Sequence, residues 1–220
     1  FKIISIPCNT LSNLLSSMKL YFLFILVLLL DTIQAGIAEK VQINSASMGK
    51  NIPALVVFPD NYAESELHLN TILILQGHGG NYMDWQSHTD LRSYADQFQF
   101  IIICPDGGLN SWYLDSPVNQ NSQNKTFVID EFISWLENKY RINNLAITGL
   151  SMGGYGVLYL SIRNPELFSA ASSMSGGVDL RSSTKRWGIA QKRGSYKKFP
   201  YRWEEYSIVG IIYDLEKLAL

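Results

Sequence analysis

The sequence predicts an α/β domain, a mainly parallel sheet with helices packed on both faces. Three observations lead there. Short apolar runs of strand length alternate with helix-like segments. Those runs are apolar nearly throughout, as strands covered on both faces are. Glycine-rich loops follow them, at the strand ends where open α/β sheets bind their ligands. A chain of 220 residues is long enough for one such domain and short for two.

After residue 38, "VQINSASMGKNIPALVVFPD" reads as two strands joined by a turn at Gly49, Lys50 and Asn51. Further strands are expected at 71–77, 100–104, 144–148 and 169–176. In "NKTFVIDEFISWLENKYR", Val128, Phe132, Trp135 and Leu136 form one apolar stripe at helical spacing, with acids on the other face. Asn124 is expected to cap that helix, a reading preferred to glycosylation of the Asn124-Lys125-Thr126 sequon. The segments "GYGVLYLSIR" and "YRWEEYSIVGIIYDLEKLAL" are also helix-like.

The N-terminal part has a different character. "MKLYFLFILVLLLDTIQAGIA" places a lysine after Met18, an apolar run from Leu20 to Leu30, and small residues at Ala35, Gly36 and Ala38. That is the layout of a secretory signal peptide over residues 18–38, cleaved after Ala35 or Ala38. Asp31 ends the run short of a membrane span, so no stable membrane insertion is expected once it is removed. Residues 1–17 precede the first methionine and read as an upstream, non-native segment. The domain proper is then 39–220, and the product is secreted or periplasmic. Cys104 lies in the apolar run "FIIIC" and is expected to be buried and inert, while Cys8 belongs to the upstream segment.

Charge narrows the partners. With 18 basic and 19 acidic residues, the chain carries no surplus for nucleic acid. The three histidines show no metal-binding spacing.

The chemistry-bearing motif is Gly149-Leu150-Ser151-Met152-Gly153, a G-x-S-x-G elbow between the strand "NLAIT" and a helix. The turn is sharp, so its flanks must lack bulk while the serine hydroxyl is held exposed. Ser151 is the candidate nucleophile, against the alternative of an ordinary helix-capping serine. An oxyanion needs donors. The N–H of Met152 at the helix start is one candidate, and "ILQGHGGN" offers the N–H of His78 or Gly79 as a second. His68 and His88 have polar neighbours and read as surface residues. In "GGLNSWYLDSP", Trp112 and Tyr113 either line a substrate pocket on the same rim or anchor the loop by burying themselves.

Together, "LILQGHGGNYMDW", "PDGGLNSWYLDSP", the block around Ser151 and "RWGIAQKRGSYKKFPYRWEEYS" resemble the esterase family of α/β-hydrolases, which includes esterase D, tributyrin and feruloyl esterases and the antigen 85 mycolyltransferases. The resemblance runs from about Val41 to the C-terminus. It implies a serine acyl-enzyme mechanism without metal or organic cofactor, with Ser151 as nucleophile and the N–H groups of His78 and Met152 as the oxyanion hole. It further implies short-chain or carbohydrate-linked esters as substrates, with acyl transfer to an alcohol and a non-catalytic binding module as alternatives. The family's acid and base follow two further strands. No histidine follows Ser151 here, and Asp179 and Asp214 do not sit at the family's positions, so the triad partners are expected beyond Leu220 and the fold is expected to be incomplete at its C-terminal side.

Overall fold

A computed structural model describes residues 37–62 and 66–212. All of these belong to one unit, Ala35–Leu220. The upstream segment lies outside the described residues, as does the expected signal peptide apart from its last two residues. The first strand, β1 (Ile37–Ser45), begins at those two, so cleavage after Ala35 would leave it whole and cleavage after Ala38 would shorten it.

Five further strands follow: β2 (Lys50–Phe58), β3 (Leu69–Leu75), β4 (Ile101–Pro105), β5 (Ile142–Leu150) and β6 (Ala170–Met174). They form one sheet in the order β1-β2-β4-β3-β5-β6. β2 pairs antiparallel with β1 and β4, whereas β4, β3, β5 and β6 run parallel. The β1–β2 turn ends two residues earlier than the sequence suggests. It occupies 46–49, and Lys50 and Asn51 already pair with Ser45 and Asn44.

The uniformly apolar strands are explained by two cores, one on each face of the sheet. Along β2, Ala54, Val56 and Phe58 join the larger core while Leu55 and Val57 join the smaller. β4 divides likewise, Ile101 and Ile103 against Ile102 and Cys104. After the short helix α1 (Asp84–His88), helix α2 (Leu91–Phe98) covers the smaller core with Leu91 and Ala95. The three-residue α3 (Asn124–Thr126) leads into a π-helical stretch (Phe127–Phe132), which with α4 (Ile133–Lys139) and α5 (Met152–Arg163) covers the larger core. Short helices α6 (Ile189–Arg193) and α7 (Pro200–Glu205) follow. Among the described residues no helix is long and apolar enough to cross a membrane.

Val128, Phe132 and Leu136 are buried as the stripe predicts, and Trp135 packs beside them. The cap differs. Asn124 is itself buried and donates to Ser122 Oγ at 3.3 Å, while Asp115 takes the capping role, accepting from Thr126 N at 3.0 Å and Thr126 Oγ1 at 2.8 Å. Both sequon side chains are thereby engaged in the fold.

Cys104 is buried in the smaller core, and burial pushes its thiol up to about 12. Since the thiolate is the reactive form, Cys104 is expected to resist a chromogenic disulfide reagent at pH 8 until denaturant unfolds the sheet. Rapid modification of Cys104 in the native protein, told apart from Cys8 by peptide mapping, would contradict this placement.

Candidate active site

Ser151 stands at the carboxyl end of β5, where the chain turns into α5. Its backbone, φ 57° and ψ −111°, lies where residues other than glycine go only under constraint. Hydrogen bonds supply that constraint. The Ser151 N–H donates to the Met174 carbonyl at 2.8 Å, and the Ser151 carbonyl accepts from Tyr155 N–H at 2.9 Å. Ser151 occupies the N-cap position, yet its hydroxyl makes no capping hydrogen bond and its side chain is exposed. A serine whose role is to cap would spend its oxygen on the first-turn amides.

The flanking glycines allow the close approach. A Cβ on Gly149 would come within 2.7 Å of the Gly153 carbonyl carbon, and one on Gly153 within 2.7 Å of the Gln76 carbonyl oxygen. The start of α5 therefore rests directly on the end of β3. From β3 the chain crosses to β4 on one side and later returns to β5 on the other, so the loops after β3 and β5 diverge around a crevice.

Gln76 organises that crevice. It is buried at the end of β3, and its side-chain amide donates to the carbonyls of Gly80 at 2.8 Å and Gly108 at 3.3 Å while accepting from Gly107 N–H at 3.2 Å. One side chain thus fastens the loops after β3 and β4 to each other. The sequence reading missed Gln76; the available signal was a lone amide directly after the apolar run "TILIL". Among the described residues neither the His78 N–H nor the Met152 N–H has a hydrogen-bond acceptor. Met152 opens α5, whose twelve residues put the positive end of the helix dipole at this turn.

Two depressions meet at Ser151. The larger, about 370 Å³, is walled by Asp84, Trp85, His88 and Leu150. The smaller, about 170 Å³, is walled by Trp112, Ser175, Asp179, Ser182 and Ser183. His78 and Trp187 border both, their rings edge-to-face at 5.4 Å.

The two rim aromatics have separate fates. Trp112 borders the smaller depression and donates from Nε1 to the Trp187 carbonyl at 3.1 Å. Tyr113 is fully buried instead: it packs against α5 where Gly156 leaves room, and its hydroxyl donates to the Gln76 carbonyl at 3.2 Å. Of the two roles open to it, Tyr113 therefore takes that of loop anchor and does not line the pocket as a substrate-binding residue.

The histidines also separate. His68 contacts the Ile142 carbonyl at 3.0 Å, at the end of the sheet opposite Ser151. His88 is exposed, as its polar neighbours suggest, but it faces the larger depression. Its Nδ1 lies 2.8 Å from the Asp84 carbonyl, which makes Nδ1 the protonated nitrogen and leaves Nε2 as the basic one.

Asp179 borders the smaller depression, where Arg181 holds its carboxylate through Nε and Nη2 at 2.8 Å each and Ser207 Oγ lies at 3.2 Å. The Arg181 hydrogen bonds pull the Asp179 carboxyl below its usual range. A group with a lowered folded-state pKa stabilises above the ordinary carboxylate range, and that contribution is lost as pH falls through the folded value. Asp179→Asn is expected to lower the melting temperature slightly at neutral pH, because the pair is a third exposed or more. The difference from wild type should close on acidification, and a gap that widens instead would contradict the pairing.

The sheet order, the strained serine elbow and the glycine loop beside it define an α/β-hydrolase. The Esterase family model matches residues 45–209, and the chain belongs to that family. An esterase of Mycobacterium tuberculosis, Rv1288, is 32% identical over 146 residues, covering 62% of this chain and 32% of its own. The diacylglycerol acyltransferase/mycolyltransferase Ag85A of the same organism is 31% identical over 151 residues, covering 64% and 43%. The chain thus spans less than half the length of either relative. An S-formylglutathione hydrolase from Agrobacterium tumefaciens superposes with a TM-score of 0.71 at 20% identity, covering 84% of this chain and 73% of that one, a likeness of fold.

Proposed function

We propose that the protein is a secreted serine carboxylic-ester hydrolase acting on short-chain or carbohydrate-linked esters. The observation that carries this reading is the Ser151 elbow, a strained and exposed serine whose hydroxyl is not used to cap its helix. Ser151 Oγ attacks the ester carbonyl carbon, and its proton passes to a base. The carbonyl oxygen becomes an oxyanion held by the N–H groups of His78 and Met152. Collapse expels the alcohol and leaves an acyl-Ser151 ester, which water cleaves to the acid. The two-part cleft suits a bond with unlike sides, the acyl group against the indoles of the larger depression and the alcohol among the serines of the smaller.

Turnover by these 220 residues is proposed to be slow. His68 is at the wrong end of the sheet, the His78 ring packs on Trp187, and the His88 ring bonds within its own helix, to Ser87 Oγ and the Asp84 carbonyl, and not to Ser151. Oxyanion stabilisation and binding alone still leave roughly 10³–10⁴-fold over water in serine hydrolases stripped of triad members.

The test is intact-protein mass spectrometry after mixing with p-nitrophenyl acetate, followed by peptide mapping. An acetyl group on Ser151 supports the reading; none, or one placed elsewhere, overturns it. Adding an acceptor alcohol separates hydrolysis from acyl transfer, since a transferase makes the new ester in preference to acetate. Fast turnover that needs both Ser151 and His88 would overturn the slow-turnover part and identify His88 as the base.

A further inference from the structure

Beside the Ser151 cleft lies a second, polar cavity of about 360 Å³, large enough for a small ligand. It opens on the same rim, because the start of β2 lies beside the end of β4: Asp106 N–H, just past β4, donates to the Pro53 carbonyl at 2.9 Å. A thin wall separates it from the cleft. Leu109 on that wall accepts at its carbonyl from Gly79 N–H at 2.7 Å, and Asn110 packs against Gly188, next to Trp187.

Its lining has an unusual composition for a place of such burial. Ser111, Ser122 and Asn124 are 3%, 4% and 6% exposed, yet all three border the cavity. Polar side chains this deep are costly to keep unless hydrogen-bonded, and each has a partner in the protein: Ser111 Oγ accepts from Tyr113 N–H at 3.1 Å, and Ser122 Oγ accepts from Asn124 Nδ2 at 3.3 Å and Lys192 Nζ at 3.2 Å. Among the described residues the two hydroxyl protons and the Asn124 amide oxygen remain unused, and these suit an occupant rich in hydroxyls. Asn119 and Asn121 add amides at the mouth.

Two ammonium groups give the occupant a charge. Lys50 and Lys192 both border the cavity. Lys192 is held in place at both ends: its carbonyl accepts from Ser116 Oγ at 2.7 Å and its Nζ donates to Ser122 Oγ at 3.2 Å. Burial, and secondarily the nearness of Lys50, press its pKa downward, a cost that a bound anion would relieve. Asp106 also borders the cavity, accepting from the N–H groups of Gly108 at 2.8 Å and Tyr82 at 3.4 Å, and its one carboxylate leaves the two ammonium groups in excess.

We propose that this cavity is a binding site for a sugar acid, with Lys50 and Lys192 holding the carboxylate and Ser111, Ser122 and Asn124 the ring hydroxyls. The site does not depend on ester chemistry, so it stands or falls separately from the reading of Ser151.

Isothermal titration of the whole chain with D-glucuronate, D-glucose and inorganic phosphate tests it. Glucuronate is expected to bind saturably, with glucose and phosphate each at least roughly tenfold weaker, since the site uses both charge and hydroxyls. Lys192→Gln is expected to weaken glucuronate by about tenfold or more, and Ser151→Gly to leave it unchanged. Lys50→Gln, at an exposed position, provides the same test should Lys192→Gln fold poorly. No saturable glucuronate binding, phosphate binding as tight as glucuronate, or affinity indifferent to both lysines would overturn the proposal. So would loss of binding in Ser151→Gly, which would put the sugar acid in the neighbouring cleft.

Discussion

Ser151→Gly is expected to stabilise the fold by about 1 kcal/mol while abolishing the acyl adduct. Holding a serine at φ 57° costs about 1–3 kcal/mol, and glycine reaches that conformation without strain. Against the gain stands the extra freedom of glycine in the unfolded chain, about 0.5–1 kcal/mol. Ser151→Ala separates the two effects: it also loses the hydroxyl but keeps Cβ, so it should lose the adduct without the gain. Urea denaturation of the three proteins, with adduct formation followed in parallel, reads both. If Ser151→Gly proves less stable than Ser151→Ala, the elbow is not strained.

The second large effect is expected at Gly153→Val. Every atom added there meets main chain, since a Cβ would lie within 2.7 Å of the Gln76 carbonyl oxygen and closer still to that of Leu75. Main chain in a central strand cannot swing aside as a flexible side chain does, so α5 must lift from β3. A loss of about 3 kcal/mol or more is expected, at the upper end of overpacking costs. Because α5 carries Met152, adduct formation should fall even at temperatures where the variant remains folded. A melting temperature within a degree or two of wild type would mean that α5 does not rest on β3 as described.

What the sequence revealed was local, and what it concealed depended on distant partners. The elbow was legible because strand, glycine, serine, glycine and helix lie in one short stretch. The buried strands were legible because two-sided burial demands apolar residues at consecutive positions, as in "FIIIC". Tyr113 was not, since an aromatic in a loop faces rim or core according to what lies beneath it, and that is Gly156, far along the chain. The cap of the helix after Asn124 came from Asp115, brought there by a β-bridge between Asp115 and Gln123. His88 was correctly read as exposed, but only the fold of α1 over the crevice shows which space it faces. The polar cavity was likewise hidden, because Lys50, Asn124 and Lys192 come from three well-separated segments.

Trp187 has a practical consequence. It is the most exposed of the chain's five indoles, at 53%, whereas Trp112 and Trp203 are buried. Since it borders both depressions at Ser151, a molecule entering either one takes water off this ring. The intrinsic emission of the protein should then move to shorter wavelength on occupancy, and a Trp187→Phe variant should lose that response. The chain thus carries its own optical gauge of binding, usable with esters that release no colour.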